Sequence, residues 1–383
     1  MTTTNKLGLY LHIPFCARKC RYCDFLSFGC GDSKVLSEYA AALMREIEIR
    51  SERWRYREVD SVYIGGGTPS LLSEWDMGKI LDSLRDNFNI DEDAEITIEA
   101  NPATLSDEKM ERYLRKGVNR LSIGVQSFHH QILNVLGRIH SKNDAFYSFQ
   151  RAKKAGFENI NLDIMFGIPG QTMKMWKDTV RQCVFLRPEH ISLYSLQIEE
   201  GTEMYRMVYE DGIMEPVPEI TDREMYHTAL RMMRRAGYDH YEISNAALPG
   251  HRSRHNMKYW SYDEYMGLGL GASSFLEGSR FKNCSGMGDY IRAIKEGAEP
   301  VDGNSVENYT QREEMGIFIF TGLRKAEGIE LGQFRKVFGQ ELFQVYDRKI
   351  LDRYKGMLIL DGDRLYLSEH GMDISNRIMT EFV

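Results

Sequence analysis

Short β-rich runs separated by helical periodicity are the feature that most narrows what this chain can become. Strands are expected at residues 8–14, 61–66, 95–101, 120–126, 159–167, 190–198 and, on a weaker pattern, 240–244. They start roughly 25 to 55 residues apart, long enough intervals for a crossover helix between parallel strands. The intervals carry helical spacing: Tyr39, Leu43 and Ile47 share a face before the second strand, and Ile80, Leu81, Leu84 and Phe88 do so before the third. Apolar strands alternating with helices predict a parallel sheet buried on both faces. The number of units predicts an α/β fold of partial or complete parallel βα (TIM-like) barrel type.

The last 70 or so residues change character. Helical patterns at 312–323, 331–338 and 342–355 precede two short strands at 358–360 and 364–367, joined by Asp361-Gly362-Asp363, which suits a tight hairpin. Three helices and a hairpin predict a small α+β, winged-helix-like domain. We therefore expect a barrel core over 1–245, a connecting segment over 246–310 and the C-terminal domain over 311–383. Winged helices often read nucleic acid, but residues 311–383 hold 11 Lys+Arg against 12 Asp+Glu, a net of −1. A covering or partner-docking role is expected there, with no nucleic acid. The whole chain of 383 residues carries 49 − 56 = −7 and has no stretch apolar enough to span a membrane. Its start shows no basic-then-apolar leader, so a cytoplasmic protein is expected.

Three of the six cysteines, Cys16, Cys20 and Cys23, crowd into a CxxxCxxC run just after the first strand. That concentration speaks for a metal centre in a reducing compartment rather than for a disulfide scaffold. Three soft sulfur ligands select zinc or an iron–sulfur cluster, and three ligands on a four-iron cluster leave one iron open for chemistry. A closed site, with Cys30, Cys183 or Cys284 as fourth ligand, is the competing reading, and unligated thiols are a third.

Other polar residues fall at the C-terminal ends of the expected strands, the face on which barrel active sites assemble. These are Gly65-Gly66-Gly67-Thr68-Pro69, Glu99, Gln126 and Asp163. The glycines could admit a ligand close to the backbone or simply make a tight turn. The spacing of a phosphate-binding loop is absent. Glu99, Asp163 and Gln126 suit either hydrogen bonds to an amine or ribose, or helix capping. Tyr22, between the second and third cysteines, could stack on a purine or pack against a cluster.

Taken together, YLHIPFCxxKCxYCDF, IGGGTPSLL, EANP, RLSIGVQSF, LGRIH and NLDIMFGIPGQ resemble the radical S-adenosylmethionine superfamily, and within it the HemN/HemW group of oxygen-independent coproporphyrinogen oxidase relatives. The resemblance spans nearly the whole chain. It implies a 4Fe-4S cluster on Cys16, Cys20 and Cys23, with S-adenosylmethionine completing the fourth iron. It assigns Tyr10, Tyr22, Gly66, Gly67, Thr68, Glu99, Gln126, Arg138 and Asp163 to the surroundings of S-adenosylmethionine: Asp163 to the ribose, and Glu99 or Arg138 to the methionine end. The chemistry implied is reductive cleavage of the sulfonium to methionine and a 5′-deoxyadenosyl radical.

Within that group the chain is similar to the heme-chaperone (HemW) branch rather than to the oxidase (HemN) branch. The oxidases carry a further Cys two residues after the third ligand, where this chain has Phe25, and they have a long segment before the cluster, which here begins at residue 16. His255-Asn256-Met257-Lys258-Tyr259-Trp260 matches the HNxxYW motif that marks the chaperone branch and is linked there to heme. The resemblance therefore implies heme as a third bound group, with His255 as its candidate ligand, and a protein acceptor for it. Without the resemblance, His255 would read as capping a chain end, and His251 would compete with it as a ligand. The alternative is a coproporphyrinogen dehydrogenase-type oxidoreductase acting in porphyrin biosynthesis. A homodimer is compatible with either reading.

Overall fold

The structure, a computed structural model, describes residues 6–383. Six strands follow the expected order: β1 (Leu7–Ile13), β2 (Glu58–Gly66), β3 (Asn89–Ala100), β4 (Arg120–Gln126), β5 (Asn159–Phe166) and β6 (His190–Ser195). Each pairs in parallel with the next. Their crossovers carry α1 (Ser33–Trp54), α2 (Glu74–Asn87), α3 (Asp107–Arg115), α4 (Lys142–Ala155) and α5 (Met173–Leu186). Leu7, Leu9, Leu11 and Ile13 alternate into one core with Tyr39, Leu43 and Ile47 of α1 and Ile80, Leu81 and Leu84 of α2. Strand period 2 meets helix period 3.6, and both are satisfied on one apolar layer. The alternate strand positions face inward and are unusually polar: Arg120, Ser122, Asn161 and His190 are all buried. They satisfy one another, as where His190 shares hydrogen bonds with Asn161 (2.6 Å) and Tyr241 (2.7 Å).

The stretch at 240–244 does not add a seventh parallel strand. After α6 (Glu219–Arg235), β7 (Asp239–Glu242) and β8 (Asn245–Ala247) form an antiparallel pair that extends the sheet beyond β6. After α7 (Arg254–Trp260), the seventh parallel strand is β9 (Tyr265–Leu268), which pairs with β1 on the far side. The 246–310 stretch, expected as a connection, thus contributes to the sheet, with β10 (Ser273–Leu276) and β11 (Ser279–Lys282) continuing it in antiparallel fashion. The sheet of 12 strands runs from Glu307–Asn308 to β7 without closing on itself, so the barrel is partial.

Four residues of β9 are too few to announce themselves by periodicity, and their place is set from outside. Glu46 of α1 is fully buried and accepts hydrogen bonds from Gly269 N, Asn283 Nδ2 and Tyr290 Oη, each at 2.7 Å. Arg50, one turn on, donates to Asn283 Oδ1 (2.9 Å) and Glu299 (2.5 Å).

The C-terminal region builds a second core from α8 (Gln311–Gly322), α9 (Leu331–Phe338) and the hairpin β12 (Leu358–Asp361) and β13 (Arg364–Leu367). Gly362 turns the hairpin at φ +57°, and Ile329–Glu330 adds a third short strand against β13. The single helix expected at 342–355 is split into Leu342–Val345 and Ile350–Arg353. Asp347 Oδ1 accepts from Lys349 N (2.9 Å), a local bond that competes with helix continuation. This core includes Tyr262 and Phe275, so the C-terminal domain is seated on the 246–310 stretch.

Glu46→Ala would leave Gly269 N and Tyr290 Oη without an acceptor and Asn283 Nδ2 with Gly269 O alone, and would leave Arg50 with Glu299 as its one carboxylate. A loss of about 3–5 kcal/mol is expected, read as a lower urea midpoint.

Candidate functional site

Above the C-terminal ends of β1–β6 lies a cavity of about 500 Å³, within the size range of small-molecule sites. Its floor and rim are built by backbone stitching. Gly67 N donates to Ile13 O (2.8 Å) and Thr68 N to Phe15 O (2.7 Å), so the turn after β2 is laid directly on the chain entering the cysteine loop. A Cβ at Gly67 would stand 2.6 Å from Phe15 O, and one at Gly66 (φ +107°) would stand 2.5 Å from the His12 ring. Only glycine allows that approach. The triplet is therefore both a tight turn and part of the cavity wall.

Cys16, Cys20 and Cys23 all line the cavity. Thr68 Oγ1 donates to Cys16 Sγ (3.6 Å) and Arg138 Nη1 to Cys20 Sγ (3.4 Å). Burial pushes the Cys16 and Cys23 thiols up, and the Thr68 hydroxyl and the Phe25 amide respectively draw them back. Among the described residues no three His, Cys, Asp or Glu side chains converge as ligands of a single ion would. None of the three cysteines weighed as a fourth ligand lines the cavity. Cys30 Sγ faces Asp32 O (3.8 Å), Cys183 is buried in the main core, and Cys284 Sγ bonds Pro300 O (3.0 Å).

Tyr22, Gly66, Gly67, Thr68, Glu99, Gln126, Arg138 and Asp163 line the same cavity. Tyr10 does not: it lies lower, its hydroxyl sharing a hydrogen bond with His12 Nδ1 (3.0 Å) and its ring stacked on Tyr63. None of the three polar strand-end residues is a helix cap. Glu99 accepts from Tyr63 Oη (2.7 Å) and Gly66 N (3.2 Å), and burial lifts its carboxyl to about 7. Asp163 accepts from Asn161 Nδ2 (2.8 Å) and Ser122 Oγ (3.3 Å), and burial raises it too. Gln126 sits at φ +62° where the β4–β5 register slips. Such a backbone in a non-glycine residue is strain of the kind held at functional sites. Its Oε1 and the Nε of Arg138 are buried without partners. Arg138 is otherwise anchored on Gly124 O (2.5 Å), and a side chain at Gly124 would crowd it.

Four carboxyls, two guanidiniums, an unpartnered amide oxygen and three thiols around one cavity suit a cluster with a polar, zwitterionic small molecule beside it. The residues fit both implied groups. The sequence reading missed Tyr194, Gln197 and Glu199 on the wall and Phe25 at the mouth. Tyr194 stands one residue before the true end of the sixth strand but inside the run expected at 190–198, so the strand-end rule passed over it.

His255 is elsewhere. It lies on α7 at the opposite, N-terminal end of the strands, fully buried, with both ring nitrogens engaged: Nδ1 with Ser61 Oγ (3.0 Å) and Nε2 with Tyr259 Oη (2.9 Å). Glu95 holds the start of that helix, accepting from Ser253 Oγ (3.3 Å), Arg254 N (3.0 Å) and His255 N (3.1 Å). Trp260 points the other way and carries the Arg324 guanidinium over its ring at 4.5 Å. The HNxxYW segment is thus the floor plug of the barrel and its joint to the C-terminal domain. In this arrangement His255 offers no nitrogen to a heme iron and is neither a chain-end cap nor a surface residue.

A parallel partial barrel with three cysteines after its first strand and a glycine turn after its second defines a radical SAM domain. The family model of the radical SAM superfamily matches residues 10–183, and that of the HemN C-terminal domain matches 309–374. The chain is 36% identical to "Heme chaperone HemW" of Bacillus subtilis, over 98% of both chains. It is 39% identical to that of Escherichia coli, over 71% of each. Among solved structures it is similar to coproporphyrinogen III oxidase HemN of Escherichia coli, with a TM-score of 0.86, 21% identity, and coverage of 99% of this chain and 90% of that one. The chain belongs to the HemW family of radical SAM proteins.

Glu99 sets a testable pH dependence. Its carboxyl titrates near 7 folded against 4.5 ordinarily, so the folded state holds its proton more tightly. Stability should fall as pH rises between those values and stay lower above them. Glu99→Gln should be more stable than the parent at pH 8 by up to about 3 kcal/mol, with the gap closing toward pH 5, as read from urea midpoints at both pH values.

Proposed function

We propose that this protein is a heme chaperone that carries a 4Fe-4S cluster on Cys16, Cys20 and Cys23, receives S-adenosylmethionine in the adjoining cavity, and hands heme to an acceptor protein. The observation that carries this reading is the match over 98% of the chain to relatives named heme chaperones. Phe25 at the position of the oxidase's additional cysteine supports it. The likeness to the oxidase HemN, at 21% identity, concerns the fold alone.

The chain's own residues would do the following. The three thiols must lose their protons to bind iron, and the Arg138 guanidinium holds Cys20 Sγ in place through a hydrogen bond. Asp163 offers a carboxylate to ribose hydroxyls, and Glu99 offers one to an amino group. Gln126 has a free carbonyl oxygen for a donor. When both groups are bound, the cluster can supply one electron to the sulfonium. Tyr22, Gly66 and Gly67 would then close the wall around the adenosyl group and limit the entry of water. Heme bound through His255 would require α7 to leave the barrel floor, breaking the three bonds to Glu95 and the two at the ring. Among the described residues no helix is long and apolar enough to cross a membrane.

The test is anaerobic reconstitution with iron and sulfide, followed by heme, with optical and EPR spectra taken with and without S-adenosylmethionine. The parent should show a cluster signal that S-adenosylmethionine perturbs, and a retained heme band. Cys20→Ala should lose the cluster signal while keeping heme. A responsive cluster without retained heme, together with formation of protoporphyrinogen from coproporphyrinogen, would turn the assignment to the oxidase.

A further inference from the structure

Tyr63 has no place in the motifs above, yet it joins the two ends of the barrel. It lies inside β2, and its hydroxyl reaches up to Glu99 Oε1 at 2.7 Å. Its ring is stacked on two others: Tyr10 at 6.3 Å and 25°, and His255 at 5.4 Å and 27°. His255 is braced in turn by Ser61, by Tyr259 set edge-on at 5.1 Å and 88°, and by Glu95 on its backbone amide. The first glycine of the triplet belongs to the same arrangement. A Cβ at Gly65 would stand 3.0 Å from the Glu99 carboxyl and 3.0 Å from the Tyr63 ring. The sequence therefore keeps space at Gly65 for the contact between Tyr63 and Glu99.

Resting on the reading that the cavity receives S-adenosylmethionine, we propose that Tyr63 and His255 are positioning residues that hold the Glu99 carboxyl toward the ligand's amino group, so that the HNxxYW floor helix acts on the S-adenosylmethionine site through the Tyr63 ring.

A phenol on a strand can swing about two side-chain bonds. Stacking between Tyr10 and His255 removes that freedom and delivers the hydroxyl to one oxygen of Glu99, while Gly66 N takes the other. The remaining charged and titratable groups facing Glu99 are Arg120 on β4, Asp163 on β5, Tyr10 on β1, Tyr194 on β6 and Tyr259 on α7. Arg120 and Asp163 act on it in opposite directions. Neither bonds to it, so orientation is left to Tyr63 and Gly66.

The experiment compares the full-length parent with Tyr63→Phe, His255→Ala, His255→Phe and the double variant Tyr63→Phe/His255→Ala. Two quantities are read: the Glu99 titration midpoint by carboxyl-13C NMR, assigned with Glu99→Gln, and S-adenosylmethionine affinity by equilibrium dialysis on cluster-loaded protein. Tyr63→Phe should raise the midpoint by about one pH unit and weaken binding roughly tenfold. His255→Ala should move both in the same direction, with binding about threefold weaker. His255→Phe, which restores a flat ring and cannot ligate iron, should stay near the parent. The double variant should be no worse than Tyr63→Phe alone, as coupled residues require. An unchanged midpoint and affinity in His255→Ala overturns the proposal. If the parent binds no S-adenosylmethionine, the site reading fails, and the midpoints still decide whether His255 positions Glu99.

Discussion

The backbone contact between the turn after β2 and the chain leaving β1 is the constraint on which the site depends. Two amide-to-carbonyl bonds, from Gly67 to Ile13 and from Thr68 to Phe15, lay one loop on the other with no room for a side chain between them. That contact sets where the cysteine loop begins, brings the Thr68 hydroxyl to Cys16, and shapes the cavity wall in the same stroke. Parallel strands end together on one face, so every other group of the site is delivered to that face by the same sheet.

The interior of the barrel behaves as a column of polar residues rather than as layers of aliphatic ones. Glu95 at the floor, Arg120, Asn161 and His190 in the middle, and Glu99 and Asp163 at the roof are buried or half-buried; His190 and Asp163 both bond Asn161, and the other three bond neighbouring residues. Such networks specify one arrangement strongly, because each unpaired member would cost its desolvation. The exceptions are Gln126 Oε1 and Arg138 Nε at the cavity and Arg120 Nε below it. Orphaned atoms at the open end of an otherwise satisfied column are where a polar ligand would be accommodated.

The floor helix explains why a motif linked to a ligand in the family can have a structural part to play. Its histidine and tyrosine face into the barrel, its lysine bonds Lys6 O and Asp60 at the start of the sheet, and its tryptophan meets Arg324 of the C-terminal domain. Residues spaced like this touch three parts of the molecule from two turns of helix. A change at any of them alters barrel closure and domain seating together, so lost heme in a variant there would not by itself identify an iron ligand.

Much of this was legible in the sequence, for physical reasons that can be named. Strand–helix alternation sets the parallel sheet, because apolar period 2 and period 3.6 can be buried together in few ways. The strand-end position of Glu99, Gln126 and Asp163, and the CxxxCxxC spacing, locate the cavity from local pattern alone. Tertiary structure decided what no local pattern carries. The four residues of β9 became the seventh parallel strand because Glu46, some 220 residues earlier, holds the loop that follows them. Tyr10, which the family pattern placed beside the ligand, lies below the cavity, while Tyr194, which no motif singled out, stands on its wall. His255 went to the interior because its two ring nitrogens find Ser61 and Tyr259 there, and a buried imidazole is stable only where such partners stand. Sequence determines which residues can bond and which can be buried; the distances that choose among their partners exist only once the sheet has brought distant segments together.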